Sequence, residues 1–325
     1  KTAYEIGVRL VGSEMCIRDR FMGTPDFSIP SLKKLLNSDN EILCAYARPD
    51  RRSGRGKNKT ISNFKQYCLD NDINIRQPET FRNNDLEISV LENFYADIGV
   101  VVAYGNLLPT EVLHAFKFGC INLHPSMLPK YRGPSPVVSA ILNGETETGV
   151  SVIQLDEGMD SGPVILQTPV PVDENIDSLA LTKLLFDFGG NMLLEAISLI
   201  EKGDQAFTPQ IESEASYTKK IAKSEGNIDW YLSAREIDRQ IRAFYPWPGS
   251  YTHVNGKLLK IMKGEVLLTE TLRPGYIKIG SNVQIGTGSG ILLPKLLQVE
   301  GKKIMSADEF SKGNKHLDGV SAMTN

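Results

Sequence analysis

Short apolar runs alternate with amphipathic stretches over the first two thirds of the chain. "EILCAYA" (41–47), "DIGVVVAYG" (97–105), "GCINLH" (119–124) and "TGVSVIQL" (148–155) are brief and apolar, with turn-forming residues near their ends, which predicts strands. Between them, "ISNFKQYCLDND" (61–72) spaces its apolar residues as one face of a helix. A longer helix is predicted over 178–203, with Ser178 as its N-cap and Gly203 as its C′ stop. Strands alternating with helices predict an α/β unit built on an open, mostly parallel sheet, which places ligands at the carboxyl ends of its strands.

The pattern changes after Gly203. Residues 204–222 are polar, lack a periodic segment and read as a linker between a first domain at 21–203 and a second domain at 223–325. "SAREIDRQIRAF" (233–244) is an amphipathic helix, closed by "YPWPGS". Short strands separated by glycines follow it and predict a small barrel or sandwich. Trp230, Phe244 and Trp247 are expected in the core or at a domain interface, and Lys257, Lys260 and Lys263 suggest a phosphate-facing surface.

Composition narrows the classes. The 325 residues are 41% hydrophobic and 23% charged, enough for a core in each of two domains. No apolar run approaches the roughly 20 residues that span a bilayer, so a soluble protein with no membrane partner is expected. A net charge of −3 carries no global basic signature, so nucleic-acid binding would need a local patch. Cys44, Cys68 and Cys120 are scattered, with no CxxC pair and no histidine at ligand spacing. Neither a disulfide framework nor a metal site is expected, and a reducing cytoplasm fits.

The first twenty residues stand apart. "KTAYEIGVRLVGSEMCIRDR" resembles the in-frame translation of a sequencing-library adapter, so residues 1–20, Cys16 included, are expected not to be native. They lack the apolar region and small-residue cleavage site of a targeting peptide. Arg18, Asp19 and Arg20 then occupy the start of a strand that a buried parallel sheet would make apolar. Source DNA encoding a short apolar start before Phe21 would bear this out, and finding the twenty codons uninterrupted in the genome would remove it.

Candidate chemistry centres on "CINLHPSMLPKYRGPSP" (120–136). Alternation puts Asn122 and His124 on one face of a strand, roughly 7 Å apart. Pro125 ends the strand, leaving His124 at its carboxyl end. Downstream, "ETGVSVIQLDEGMDSGPVI" runs a strand into an acidic loop with Asp156 and Asp160, either of which could orient the imidazole.

"GTPDF", "RPDRRSGRGK", "VVVAYG", "INLHPSMLPKYRG", "ETGVSVIQLDEGMDSGPVI" and "IDWYLSAREIDRQIRAFYPWPGS" occur in this order and spacing, and in them the chain resembles the methionyl-tRNA formyltransferases from Phe21 to the C-terminal region. The resemblance implies a Rossmann-like formyltransferase domain followed by an OB-like, barrel-type domain that binds tRNA. It implies 10-formyltetrahydrofolate as donor, the α-amino group of methionyl-initiator tRNA as acceptor, and a role in translation initiation. The family's catalytic Asn, His and Asp fall on Asn122, His124 and Asp160, and its folate-contacting loop on Ser126, Met127, Leu128 and Pro129. Asn122 and His124 are expected to donate N–H groups to the oxyanion formed when a neutral amine attacks the formyl carbon, with Asp160 setting the imidazole's protonation. The resemblance also implies tRNA contact by the basic loop "RPDRRSGRGKNK", at Arg51, Arg52, Arg55, Lys57 and Lys59, where charge alone would equally suit a solvated loop. A monomer is expected. The alternatives are a folate-dependent formyltransferase acting on a sugar-nucleotide amine or glycinamide ribotide, and a catalytically silent RNA-binding relative.

Overall fold

The computed structural model describes residues 17–50, 52–53, 58–59, 61–93 and 95–323. Two compact units share the chain, with boundaries between Asn122 and Leu123, between Gly189 and Gly190, and between Gln205 and Ala206.

The first unit runs β1 (Arg18–Gly23), α1 (Ile29–Leu36), β2 (Glu41–Tyr46), two-residue strands β3 (Arg52–Ser53) and β4 (Asn58–Lys59), α2 (Asn63–Asp70), β5 (Ile75–Arg76), α3 (Asp85–Asn93), β6 (Ile98–Val102), α4 (Thr110–Leu113) and into β7 (Cys120–His124). Its parallel strands lie in the order β5-β2-β1-β6-β7. Register sets Phe21 beside Ala45 and Val100, and Val101 beside Asn122. Every residue of β6 is buried, which is why it reads as a continuous apolar run rather than an alternation. Phe21 stacks on Phe64 at 5.9 Å, and Phe81 bridges Tyr46 and Tyr104. Ser62 caps α2 by accepting a hydrogen bond from the Lys65 N–H (3.1 Å).

The start of β1 departs from this apolar rule. Asp19 and Arg20 are fully buried. Arg20 Nη1 donates to the Tyr46 hydroxyl at 3.3 Å, and its guanidinium lies 5.7 Å from that ring's centroid. Among the described residues, neither carboxylate oxygen of Asp19 has a hydrogen-bond partner. Burial, then the nearby charges of Asp97 and Glu201, push the Asp19 carboxyl up to about 8.

β3 and β4 pair antiparallel, Arg52 opposite Lys59. Of the residues expected to meet tRNA, Arg51, Arg55 and Lys57 lie outside the described residues.

The second unit takes the end of β7, then α5 (Pro136–Asn143), β8 (Glu147–Gln154), β9 (Val164–Pro171) and the first half of α6 (Ser178–Lys202). β8 and β9 form an antiparallel hairpin with Ser151 opposite Gln167. The N-cap of α6 is Asp177, not Ser178: Asp177 Oδ1 accepts from the Ala180 N–H (2.8 Å), while Ser178 Oγ donates to the Tyr245 carbonyl (2.5 Å). A tertiary partner thus took the serine hydroxyl that local reasoning assigned to the helix end.

The same unit continues with α7 (Ala234–Ala243), β10 (Ser250–Val254), β11 (Lys257–Leu267), β12 (Ile277–Ile279), β13 (Val283–Gly286), β14 (Ile291–Val299), β15 (Met305–Ser306) and α8 (Ala307–Gly313). Ser233 and Glu236 form a capping box that starts α7. The antiparallel sheet runs β10-β11-β14-β13-β12 with β15 on β14, an OB-like half-barrel. Register shifts near Lys263 bend β11. Trp230, Ile237, Ile241, Leu259, Ile261 and Phe310 fill its core, and Trp230 Nε1 donates to Thr252 Oγ1 at 3.1 Å. Phe244 is buried, but Trp247 is 57% exposed, because Pro246 and Pro248 confine it to the turn between α7 and β10. Lys257 and Lys263 are exposed and Lys260 half-buried on β11. Among the described residues, no helix is long and apolar enough to cross a membrane.

Candidate active site

His124 ends β7 because Pro125 cannot continue the ladder, so its ring sits where the chain turns into the proline-rich loop. The imidazole is buried, its side chain 5% exposed. Nε2 lies 3.0 Å from the backbone carbonyl oxygen of Tyr131. A carbonyl only accepts, so Nε2 carries the proton and the neutral ring presents Nδ1 as a lone pair. That Nδ1 faces Asp160 Oδ2 at 3.6 Å. Burial holds the imidazole below the usual histidine range, against the opposing pull of the Asp160 charge and the Tyr131 carbonyl. The resting ring is neutral near pH 7. Its N–H is already engaged, which leaves it a base at Nδ1 rather than the N–H donor expected from the sequence.

Asp160 is held from two directions. Its Oδ2 accepts the Gly133 N–H at 2.8 Å, and its backbone carbonyl accepts from Gln210 Nε2 at 2.8 Å. Its backbone adopts φ +52°, a left-handed conformation that costs a side-chain-bearing residue about 1–2 kcal/mol. Tyr131 shares the feature at φ +63°. Two strained residues therefore bracket the imidazole, one through its side chain and one through its carbonyl. Asp156, the other carboxylate open from the sequence, turns away and braces its own loop, accepting from the Gly158 N–H (3.1 Å) and Ser161 Oγ (2.9 Å). Gly162 closes that loop so tightly that a Cβ there would stand 1.8 Å from the Gln154 carbonyl oxygen.

Asn122 lies two residues before His124 on β7, half-buried, and alternation directs both side chains to one face. Residues Ser126–Pro129 pack against the β8–β9 hairpin. Ser126 is fully buried, its Oγ donating to the Lys130 carbonyl (2.7 Å) and its carbonyl accepting from Ser151 Oγ (2.7 Å). Gln167 Nε2 donates to the Leu128 carbonyl (2.8 Å), and Met127 lies against Gly149. The polar groups of this loop are therefore largely spent on holding its shape.

Residues 204–222 run as a strap along the same region. Thr208 bridges Val164, and Tyr217 bridges Arg132. The Tyr131 N–H donates to Ser216 Oγ (2.8 Å), and the Ser135 N–H to Thr218 Oγ1 (3.0 Å). Arg132 is buried and bonded to Gln210 Oε1, Glu212 Oε2 and the Tyr217 hydroxyl, partners a buried guanidinium requires. Sequence reasoning missed Arg132, Gln210 and the Tyr131 carbonyl. An arginine in a proline-rich apolar loop was a readable signal, but the strap glutamine and a backbone carbonyl carry none. On the far side of Tyr131 a cleft of ≈ 640 Å³ opens between Lys130, Asn143, Glu145, Tyr217 and Lys219.

Comparisons with known proteins bear on this arrangement. A formyl transferase family model matches residues 21–197, and a formyl transferase C-terminal domain model matches 220–315. The chain is 38% identical over 304 residues to a methionyl-tRNA formyltransferase of Thermodesulfovibrio yellowstonii, covering 94% of this chain and 98% of that one. It is 39% identical to another from Clostridioides difficile over 297 residues, covering 90% and 96%. An N-formyltransferase structure from Helicobacter canadensis, determined with folinic acid and dTDP-3-aminofucose, superposes with a TM-score of 0.63 at 21% identity. It covers 86% of this chain and 99% of that one, a likeness of fold. With both domains matched in order and relatives aligned over nearly their whole length, the chain belongs to the formyl transferase family and groups with its methionyl-tRNA formyltransferases.

Proposed function

We propose that the chain transfers the formyl group of 10-formyltetrahydrofolate to the α-amino group of methionyl-initiator tRNA, supplying formylmethionyl-tRNA for translation initiation. The observation that carries the chemistry is the lone pair of His124 Nδ1 set against the Asp160 carboxylate. As the amine nitrogen attacks the formyl carbon, a C–N bond forms and the carbonyl oxygen gains negative charge. Asn122 donates an amide N–H to that oxygen. His124 Nδ1 takes the proton the amine must lose, and Asp160 stabilises the imidazolium that results. Collapse of the tetrahedral centre breaks the bond from the formyl carbon to N10 of the folate, and the His124 imidazolium returns its proton to that leaving nitrogen. Ser126, Met127, Leu128 and Pro129 form the wall against which the folate docks.

The RNA-facing part of the reading rests on the two-domain match. Arg51, Arg52, Arg55, Lys57 and Lys59 neutralise phosphates of the acceptor arm. The catalytic domain is 21–203, the connecting strap 204–222 and the tRNA-binding domain 223–325. The enzyme acts as a monomer in the cytoplasm, where aminoacylated initiator tRNA is made. Incubating the protein with 10-formyltetrahydrofolate and, separately, methionyl-initiator tRNA or a dTDP-amino sugar tests the reading. Formylation of the tRNA amine alone is expected. Transfer to the sugar alone would reassign the acceptor, and no transfer to either would remove the enzymatic reading.

A further inference from the structure

We infer that Gln210, in the polar stretch after α6, is a positioning residue that sets the basicity of His124 by clamping the loop that carries Asp160. The inference rests on the formyl-transfer reading for its kinetic consequence, but not for its physical one. The Gln210 amide spends both of its donors and its carbonyl oxygen in one place. Nε2 donates to the carbonyls of Asp160 (2.8 Å) and Gly162 (2.7 Å), and Oε1 accepts from Arg132 Nε (2.9 Å). Arg132 immediately precedes Gly133, whose N–H binds Asp160 Oδ2. One side chain thus ties the backbone on which the carboxylate sits to the loop that fixes where the carboxylate points. The reciprocal backbone bonds between Val164 and Thr208 (2.8 and 2.9 Å) deliver Gln210 to that place.

A clamp is needed because Asp160 is held in a left-handed conformation that a free loop would leave. Its carboxylate stands 3.6 Å from Nδ1, close enough for its charge to oppose the effect of burial on the ring. Among the described residues, the groups acting on the imidazole are the Asp160 carboxylate and the Tyr131 carbonyl, and of these the first is charged. Coulomb attraction falls as the gap widens, so a relaxed Asp160 loop leaves His124 a weaker base.

Gln210→Met keeps the length of the side chain and removes all three bonds without adding charge. Gln210→Ala is the second variant, should the first not fold. Gln298→Met, which removes a glutamine's hydrogen bond to the Lys302 carbonyl at the exposed end of β14, serves as control. The His124 ring is followed by NMR titration, its signal identified among the 4 histidines by its loss in His124→Gln. In the Gln210 variants the midpoint is expected to move to lower pH, with the control unmoved. Steady-state kinetics should show kcat reduced roughly 10–100-fold, the cost of an ångström-scale misplacement, with KM for the folate changed less than about threefold. The acid limb of the pH–rate profile should move to lower pH in step with the NMR midpoint. An unmoved midpoint overturns the inference, as does a fall in melting temperature and kcat together with an unmoved pH profile. The titration needs no substrate, so it speaks to Gln210 even if the wild-type protein formylates nothing, an outcome that would strike the proposed function instead.

Discussion

His124 Nδ1 and Asp160 Oδ2 face one another at 3.6 Å, two acceptors with no proton between them, because the ring's proton is committed to the Tyr131 carbonyl at 3.0 Å. Such a pair is unfavourable at rest and becomes favourable once Nδ1 is protonated. That is the electrostatic profile of a base whose conjugate acid is stabilised as a reaction proceeds.

Replacing Asp160 by asparagine removes the charge that raises the His124 pKa against burial. Turnover at neutral pH should fall by roughly 10²–10⁴-fold. The acid limb of the kcat/KM profile should move to lower pH, since the imidazole loses its counter-charge. A limb that stays in place or moves upward would detach the carboxylate from the ring's chemistry.

Asn122→Ala should reduce kcat by roughly 10²–10³-fold, the usual loss for one oxyanion donor, and His124→Ala by at least as much. Both should keep the wild-type circular dichroism and melting temperature to within a few degrees. Near-normal formyl transfer by either variant would mean that the reacting centre lies elsewhere.

Asp19 governs a different measurement. Its folded pKa of about 8 lies above the unfolded value, so the fold binds this proton more tightly and loses stability as pH rises from about 4 to about 8. Asp19→Val should therefore stabilise the protein, and by roughly 2–3 kcal/mol more at pH 8 than at pH 6. Urea unfolding at the two pH values reads the difference. Equal gains at both would show that Asp19 is not proton-linked to folding.

Arg55→Ala should weaken binding of methionyl-initiator tRNA while leaving the KM for the folate close to wild type. The slope of log affinity against log salt should become shallower by about one. Unchanged affinity across a salt series would remove the basic loop from the RNA interface.

Gly162→Ala places a methyl group 1.8 Å from the Gln154 carbonyl oxygen, a clash only backbone movement relieves. The Asp160 loop should shift, lowering both melting temperature and kcat. Full activity with an unchanged melting temperature would show that this loop tolerates displacement.

The element order was legible in the linear chain because each local signal had one reading. The buried run at 98–102 is a central strand, and Ser233 with Glu236 starts a helix wherever the chain goes. The histidine's place was legible too, since Pro125 stops any strand, whatever packs against it. The choice between Asp156 and Asp160 lay beyond local signals, because two carboxylates in one acidic loop differ only in what surrounds them. Folding decided it by giving Asp156 to Ser161 and Asp160 to Gly133 and the imidazole. The same holds for Ser178, whose hydroxyl left its helix end for the Tyr245 carbonyl, and for 204–222, whose polarity reads as a linker. Short-range physics determined which segments are strands and helices, and where the histidine sits. Which proton the histidine holds depended on how the proline-rich loop turns the Tyr131 carbonyl back onto the ring, and which glutamine keeps its carboxylate in reach depended on a bond across 50 positions, Gln210 to Asp160. Only the closed tertiary structure brings such partners within 3 Å of each other.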